Sequence, residues 1–274
     1  NGVNININDV SYIIKAETNF TQSINMLFES FKGMTNKIIP YESRLEINYY
    51  VSAPAYLNTS IINRYGDVYM EDNTGKFSLN LTNGSFKANS IRKVGEIRVS
   101  FCDVSINKLE SGNLNASFSE LTIGEATDLS VTSISSRIDI RKTEKMEIES
   151  RRDKFYIGSI GSIIGNSYFT DFHLDEINKE INLETKYGNL NADLIKKGTD
   201  MISITSGYTD INLSFDPSIS YTLDIKHTNS FVVLPKEGTK IEKKTLNEDK
   251  KEYMTFGTVG RNPGNVKVNI DATR

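Results

Sequence analysis

Apolar and polar residues alternate along most of this chain, in short bursts separated by turn residues. An apolar-x-apolar pair recurs as Val68/Met70, Phe86/Ala88, Val104/Ile106, Leu121/Ile123, Ile138/Ile140, Phe155/Ile157, Phe172/Leu174, Leu190/Ala192, Ile211/Leu213 and Phe231/Val233, one pair every 17–21 residues. Turns precede the pairs, among them Tyr65-Gly66-Asp67, Asn83-Gly84-Ser85, Cys102-Asp103, Ser135-Ser136, Tyr187-Gly188-Asn189 and Tyr208-Thr209-Asp210. Gly, Asn, Asp and Ser are the residues that adopt tight-turn conformations cheaply. A second alternating stretch comes before each turn, as in Phe77/Leu79/Leu81, Ile97/Val99/Phe101, Leu114/Ala116/Phe118, Leu129/Val131, Met146/Ile148, Ile181/Leu183, Ile202/Ile204 and Leu223/Ile225. Period-two alternation in short strands at a fixed repeat predicts an all-β chain. It should form a parallel β-solenoid of about ten coils, right-handed by the general chirality of parallel crossovers. One coil cannot bury its apolar side alone, so residues 58–234 should share a continuous core and form one cooperative domain with their caps.

The ends break the repeat, as capping requires. In residues 1–57, the helical spacing of Phe20, Ile24, Leu27, Phe28 and Phe31 predicts an amphipathic helix over 20–32. Leu45, Ile47, Tyr49 and Val51 then predict a lead-in strand that runs past Pro54 into the array. In residues 235–274, the lysines from Lys236 to Lys251 are interleaved with Glu237, Glu242, Glu248, Asp249 and Glu252. That mixture reads as a solvated excursion or hairpin rather than a polybasic anchor. Val266, Val268 and Ile270 predict a closing strand.

Aligning the coils produces columns. Three positions before the pairs stand Tyr65, Phe101, Phe118, Phe169, Tyr187 and Tyr208, with Asn83, Ser135, Arg152 and Thr228 in the other coils. The column predicts a stacked aromatic row filling one corner of the core; its functional reading is a sugar-stacking platform. On the outward side, Asp103, Glu120, Arg137, Lys154 and Asp171 form one column, and Asp139, Tyr156, His173 and Asn191 another. Opposite charges then fall one rung apart, as Glu120/Arg137 and Lys154/Asp171, which suits a solvated complementary face. The same residues suit a binding surface: Tyr156 offers a ring, while Arg137, Asp139, Lys154, Asp171 and His173 offer polar groups, the mixture that carbohydrate recognition uses.

Composition narrows the functional classes. Over 274 residues the net charge is -3, which removes the basis for general nucleic-acid binding. No run approaches the ~18 apolar residues of a transmembrane helix. The one cysteine, Cys102, allows no internal disulfide, and two histidines leave few routes to zinc. Asp171, His173 and Asp175 alternate on one strand, but three ligands on one straight strand rarely converge, so no metal is expected. The run Gly158, Gly161, Gly165 lacks the Gly-Lys-Ser/Thr ending of a phosphate loop and fits solenoid corners better. His227 has no neighbouring nucleophile, no defined carboxylate pair marks a catalytic cleft, and no cofactor is implied. The chain opens at Asn1-Gly2, which leaves export open.

The turns Tyr65-Gly66-Asp67-Val68 and Tyr187-Gly188-Asn189-Leu190, with the strand-then-Pro segment from Leu45 to Pro54, resemble those of a family of Bacteroidetes proteins carrying the adhesin label, related to auto-transporter adhesin head (GIN) domains. The resemblance runs from about Leu45 to the end of the chain. It implies a β-helix like the pectin-lyase fold, exported to the periplasm or cell surface behind a signal or lipoprotein leader, without an established activity or catalytic residues to carry over. The expected function is a non-enzymatic adhesion or binding module whose partner is a glycan or a surface protein. The alternative is a polysaccharide-active enzyme, for which the nearest approach is Asp139, Asp171 and Asp175 with Arg137, Arg141 and Lys154.

Overall fold

The computed structural model describes residues 48–261 and 266–274, together with the backbone of two strands, β1 (Ile5–Val10) and β2 (Ile13–Thr18). The chain divides into two compact units, Asn1–Ser52 and Ala53–Arg274. In the first, β1 and β2 pair antiparallel from Ile5↔Thr18 to Val10↔Ile13. The helix expected over 20–32, and Leu45 and Ile47 of the lead-in strand, lie outside the described residues. Tyr49 and Val51 lie in no strand, and their side chains are exposed.

The second unit is an all-β solenoid of about nine turns, with no α-helix among the described residues. Its strands are β3 (Thr59–Arg64), β4 (Val68–Ser117), β5 (Glu120–Ile134), β6 (Arg137–Arg151), β7 (Lys154–Tyr168), β8 (Asp171–Ile195), β9 (Met201–Phe215), β10 (Tyr221–Thr228), β11 (Thr239–Asn247), β12 (Glu252–Val259) and β13 (Val266–Thr273). From β3 to β9 each strand pairs in parallel with the next. The long strands bend within a coil and make two walls. In β5 the first wall buries Leu121 and Ile123, the second Leu129, Val131 and Ser133, and Ala126 fills the bend.

Register converts the repeat into internal stacks. Leu121, Ile138, Phe155, Phe172 and Leu190 follow one another coil by coil along the first wall; Leu129, Met146, Ile163, Ile181 and Ile202 do so along the second. All of them are buried, and Phe155 stacks on Phe172 with centroids 5.2 Å apart. Each Leu or Ile buried this way contributes about 1.5–3 kcal/mol, so the stacks supply the main driving force. The tenth expected pair is an exception. Phe231 and Val233 are 94% and 92% exposed, while the adjacent Val232 and Leu234 pack on the core, so alternation there is offset by one residue.

Every coil turns at a residue with positive φ: Tyr65, Asn83, Phe101, Phe118, Ser135, Arg152, Phe169, Tyr187, Tyr208 and Asn229, at φ 50–60°. Left-handed backbone costs a non-glycine residue roughly 1–2 kcal/mol. At Phe118, Ser135 and Arg152 that conformation turns the next residue inward, where it caps the coil before it, as described below; after Tyr65, Asn83 and Tyr187 the next residue is a glycine.

Just past the first corner, the Asp67 carboxylate accepts the Ser85 backbone N–H at 2.8 Å. Hydrogen bonds from Ser85 hold its pKa below the ordinary carboxylate value. Because the folded carboxyl is the stronger acid, its contribution is complete above the unfolded pKa of about 3.9 and is lost as pH falls through the lower folded value. Acidification is therefore expected to loosen this corner, seen as faster hydrogen exchange at the Ser85 amide in wild type than pH alone dictates. Asp67→Asn should abolish that excess.

The far end departs from chain order. β13 lies between β9 and β10, parallel to both, and β10 is followed outward by the antiparallel hairpin β12–β11. Val266, Val268 and Ile270 thus fill an internal rung rather than close the array. The terminal strand is β11, whose Lys240, Lys243 and Lys244 discourage pairing with another sheet edge. His227 is buried here, its ring nitrogens facing the Ser230 carbonyl at 3.1 Å and Thr255 Oγ1 at 3.3 Å, a packing role. No helix among the described residues is long and apolar enough to cross a membrane.

Candidate functional site

The corner column is the most distinctive surface of the solenoid. Its aromatic residues do not fill a core corner: Phe101, Phe118, Phe169, Tyr187 and Tyr208 are 37–58% exposed and form a ladder on the outside. A left-handed residue at a convex corner points away from the coil, which is the physical reason for the reversal. Phe101 stacks on Phe118 at 5.0 Å and 5°; Phe169 stacks on Tyr187 at 4.9 Å, and Tyr187 on Tyr208 at 5.2 Å. Tyr168 stands edge-on to Phe169 and Tyr187. Between stacked neighbours the ring faces cover one another, so the ladder as a whole is not a flat platform.

The ladder is broken. Between Phe118 and Phe169 the column holds Ser135 and then Arg152. Where the Ser135 side chain replaces a ring, an open hollow of ≈ 510 Å³ forms. It is lined by Phe101 and Phe118 on one side and Arg152 and Lys154 on the other, with Asp103, Glu120 and Arg137 at its rim. Among the described residues no ring stacks on the lower face of Phe118. Arg152 and Lys154 make no ion pair among the described residues, whereas Arg137 does, with Glu120 at 3.6 Å and Asp139 at 2.8 Å.

Behind the hollow runs a buried polar ladder that sequence reasoning missed. After the corners at Phe118, Ser135 and Arg152 the next residue caps the preceding coil: Ser119 Oγ accepts the Cys102 N–H at 3.1 Å, Ser136 Oγ the Ser119 N–H at 3.2 Å, and Asp153 Oδ1 the Ser136 N–H at 2.7 Å. Asp153 also accepts from Ser133 Oγ, Ser150 Oγ and the Arg151 N–H. Ser167 Oγ is left without a partner because Gly188 stands where Thr170 serves Ser150 one coil earlier. The recurrence of Ser119, Ser136, Asp153 and Thr170 at one coil position was the available signal.

The outward patch expected from sequence is assembled by the register, Arg137↔Lys154↔Asp171 beside Asp139↔Tyr156↔His173. Its members, however, largely engage one another. Arg137 donates to both Asp139 oxygens at 2.8 and 3.1 Å and lies over the Tyr156 ring at 4.2 Å. The Asp139 carboxylate holds the guanidinium pKa above its already high value. Asp171 accepts from Asn189 at 2.8 Å. Lys154 makes no ion pair with Asp171 within 4 Å; it lines the hollow instead. His173 faces Asp193 at 3.5 Å and Asp175 at 3.9 Å, so the neighbouring coil supplies the carboxylate that a single strand could not bring to it. These three exposed groups lie close enough to share an ion. Asn191 meanwhile donates to Asp193 at 2.6 Å, tying one carboxylate into the surface network.

All three glycines lie within β7, Gly158 and Gly161 where the inward alternation slips at bends of the strand and Gly165 along the second wall, paired with Ile148. There each lets the backbone approach the preceding coil: a Cβ on Gly161 would sit 2.2 Å from the Glu144 carbonyl oxygen.

Comparison with protein-family models, with curated proteins and with solved structures found no significant match.

Proposed function

We propose that this chain is a non-enzymatic binding module, acting in adhesion at the cell envelope or surface, and that its ligand site is the break in the corner ladder. The observation that carries the reading is the free face of Phe118 above the Ser135 hollow. A ring inserted there would continue the stack at the rung spacing of about 4.8 Å. Stacking of this kind contributes about 0.5–1.5 kcal/mol beyond the area it buries. An apolar face bordered by Asp103, Glu120, Arg137, Arg152 and Lys154 suits a sugar ring, which offers C–H groups on its face and hydroxyls around its edge. A purely apolar guest would cover Arg152 and Lys154 without offering them a partner.

Display outside the cell rests on the resemblance of the turns around Tyr65 and Tyr187 to the adhesin-labelled family. Binding is favoured over catalysis by the state of the carboxylates: Asp139 is held by Arg137, and Asp171 accepts from Asn189. An open hollow implies weak single contacts, which adhesion overcomes by presenting many at once.

The test is retention of the purified chain on polymers displaying single sugars. Wild type should bind at least one of them. Ser135→Phe supplies the missing ring in a column that already holds phenylalanine at φ 50–55°; it should reduce binding about tenfold or more while leaving thermal stability within a few degrees. Phe118→Asn, which repeats the asparagine that the column already holds at Asn83, should do likewise. Sugar binding that survives both substitutions would remove the site from the hollow.

A further inference from the structure

We infer that the ring taken up at Ser135 is an acidic sugar, whose carboxylate is received by Arg152 and Lys154. This rests on the hollow being a sugar site and adds the ligand's charge and orientation.

The exposed cations of the solenoid divide into paired and unpaired; among the described residues Lys108, Lys142, Lys145 and Arg151 are unpaired too, but only Arg152 and Lys154 line the hollow without an ion pair. Arg92, Arg98, Arg137, Arg141, Lys179, Lys186, Lys196 and Lys226 each face a carboxylate within 4 Å. Arg152 and Lys154 have none among the described residues, although an acid lies between them in sequence. That acid, Asp153, is 1% exposed and faces the interior, where hydroxyl and backbone donors satisfy it. The alternation of one coil therefore sends its negative charge inward and both positive charges outward, onto the lower edge of the hollow.

The upper edge carries the opposite sign, with Asp103 and Glu120 beside Phe101 and Phe118. A ring stacked on Phe118 has one favourable orientation for a carboxylate, away from Asp103 and Glu120 and toward the next two rungs. Guanidinium and ammonium donors to a carboxylate form the stronger, charge-assisted class of hydrogen bond. Arg152 also occupies the corner position itself, so its planar head can lie under the ring as the next rung while Lys154 reaches from two residues further on. The chain as a whole has net charge -3, so unspecific attraction would not favour an acidic polymer.

Two polymers with the same backbone, one displaying glucuronic acid and the other glucose, isolate the carboxylate because the sugars differ only at that group. At fixed ionic strength, wild type should bind the glucuronic acid polymer about five- to tenfold more tightly, allowing for solvent screening of exposed partners. Arg152→Gln/Lys154→Gln should abolish the excess, and Lys243→Gln/Lys244→Gln on β11, which removes the same charge elsewhere, should leave it intact. Equal binding to both polymers, or a preference that survives the Arg152/Lys154 exchange, overturns the acidic ligand while the hollow stands as a sugar site. Failure to bind either polymer overturns the acidic ligand, and silence on every single-sugar polymer overturns the hollow as a sugar site as well.

Discussion

Asp153→Ala is expected to lower the stability of the solenoid by about 4 kcal/mol, a loss in the range reserved for broken buried networks. The carboxylate accepts four hydrogen bonds, from Ser133 Oγ at 2.8 Å, Ser150 Oγ at 2.7 Å, the Ser136 N–H at 2.7 Å and the Arg151 N–H at 2.9 Å. Alanine removes every acceptor at once. Ser150 still has Thr170 at 2.8 Å, but the Ser136 N–H stays buried without a partner, and such a group costs about 1–3 kcal/mol. Asp153→Asn keeps one acceptor oxygen and should lose about half as much. Urea unfolding with an unchanged slope is the measurement; a loss under about 1 kcal/mol would mean that water replaces the carboxylate.

The second large effect is expected at Gly165. It adopts φ +140°, and a Cβ there would stand 2.0 Å from the Ile148 carbonyl oxygen of the previous coil. Backbone strain and a backbone clash act together, so Gly165→Ala should cost about 3 kcal/mol or more. Gly207→Ala is the control, because its nearest neighbour would be the flexible Lys186 side chain at 3.4 Å; its effect should stay under about 1 kcal/mol. Similar losses at the two positions would show that coil spacing adjusts freely, contrary to the close stacking seen here.

The walls of the solenoid were legible in the sequence because burial on one face of a strand enforces period two, and stacking enforces a constant coil length. Leu121 through Leu190 could be aligned on those grounds alone. The sign of φ could not be read the same way. Spacing from the apolar pair places Phe101, Phe118 and Phe169 in one column and predicts that it fills a corner of the core, whereas the column faces out. Arg152 was the clue, since a buried aromatic row would not admit an unpaired guanidinium. The site was half legible for the same reason: Lys154 was identified as an outward residue, yet its grouping with Phe118 and Ser135 follows from the corner geometry. Asp153 hid in plain view, because an acid between two exposed cations reads as surface. Spatial order at the far end was beyond reach, since Val266, Val268 and Ile270 carry the same pattern as any other rung.

That order has a consequence for how the protein is made. A ribosome releases β10, β11 and β12 before β13, yet β13 must come to lie between β9 and β10. A nascent chain therefore cannot simply add coils as they emerge. Either β9 keeps an open edge while three later strands are synthesised, or a provisional β9–β10 pair forms and must part to admit the latecomer. During that interval the unpaired β9 edge is open to the equivalent strand of a neighbouring chain, which makes exchange of β13 between copies the characteristic error of this fold.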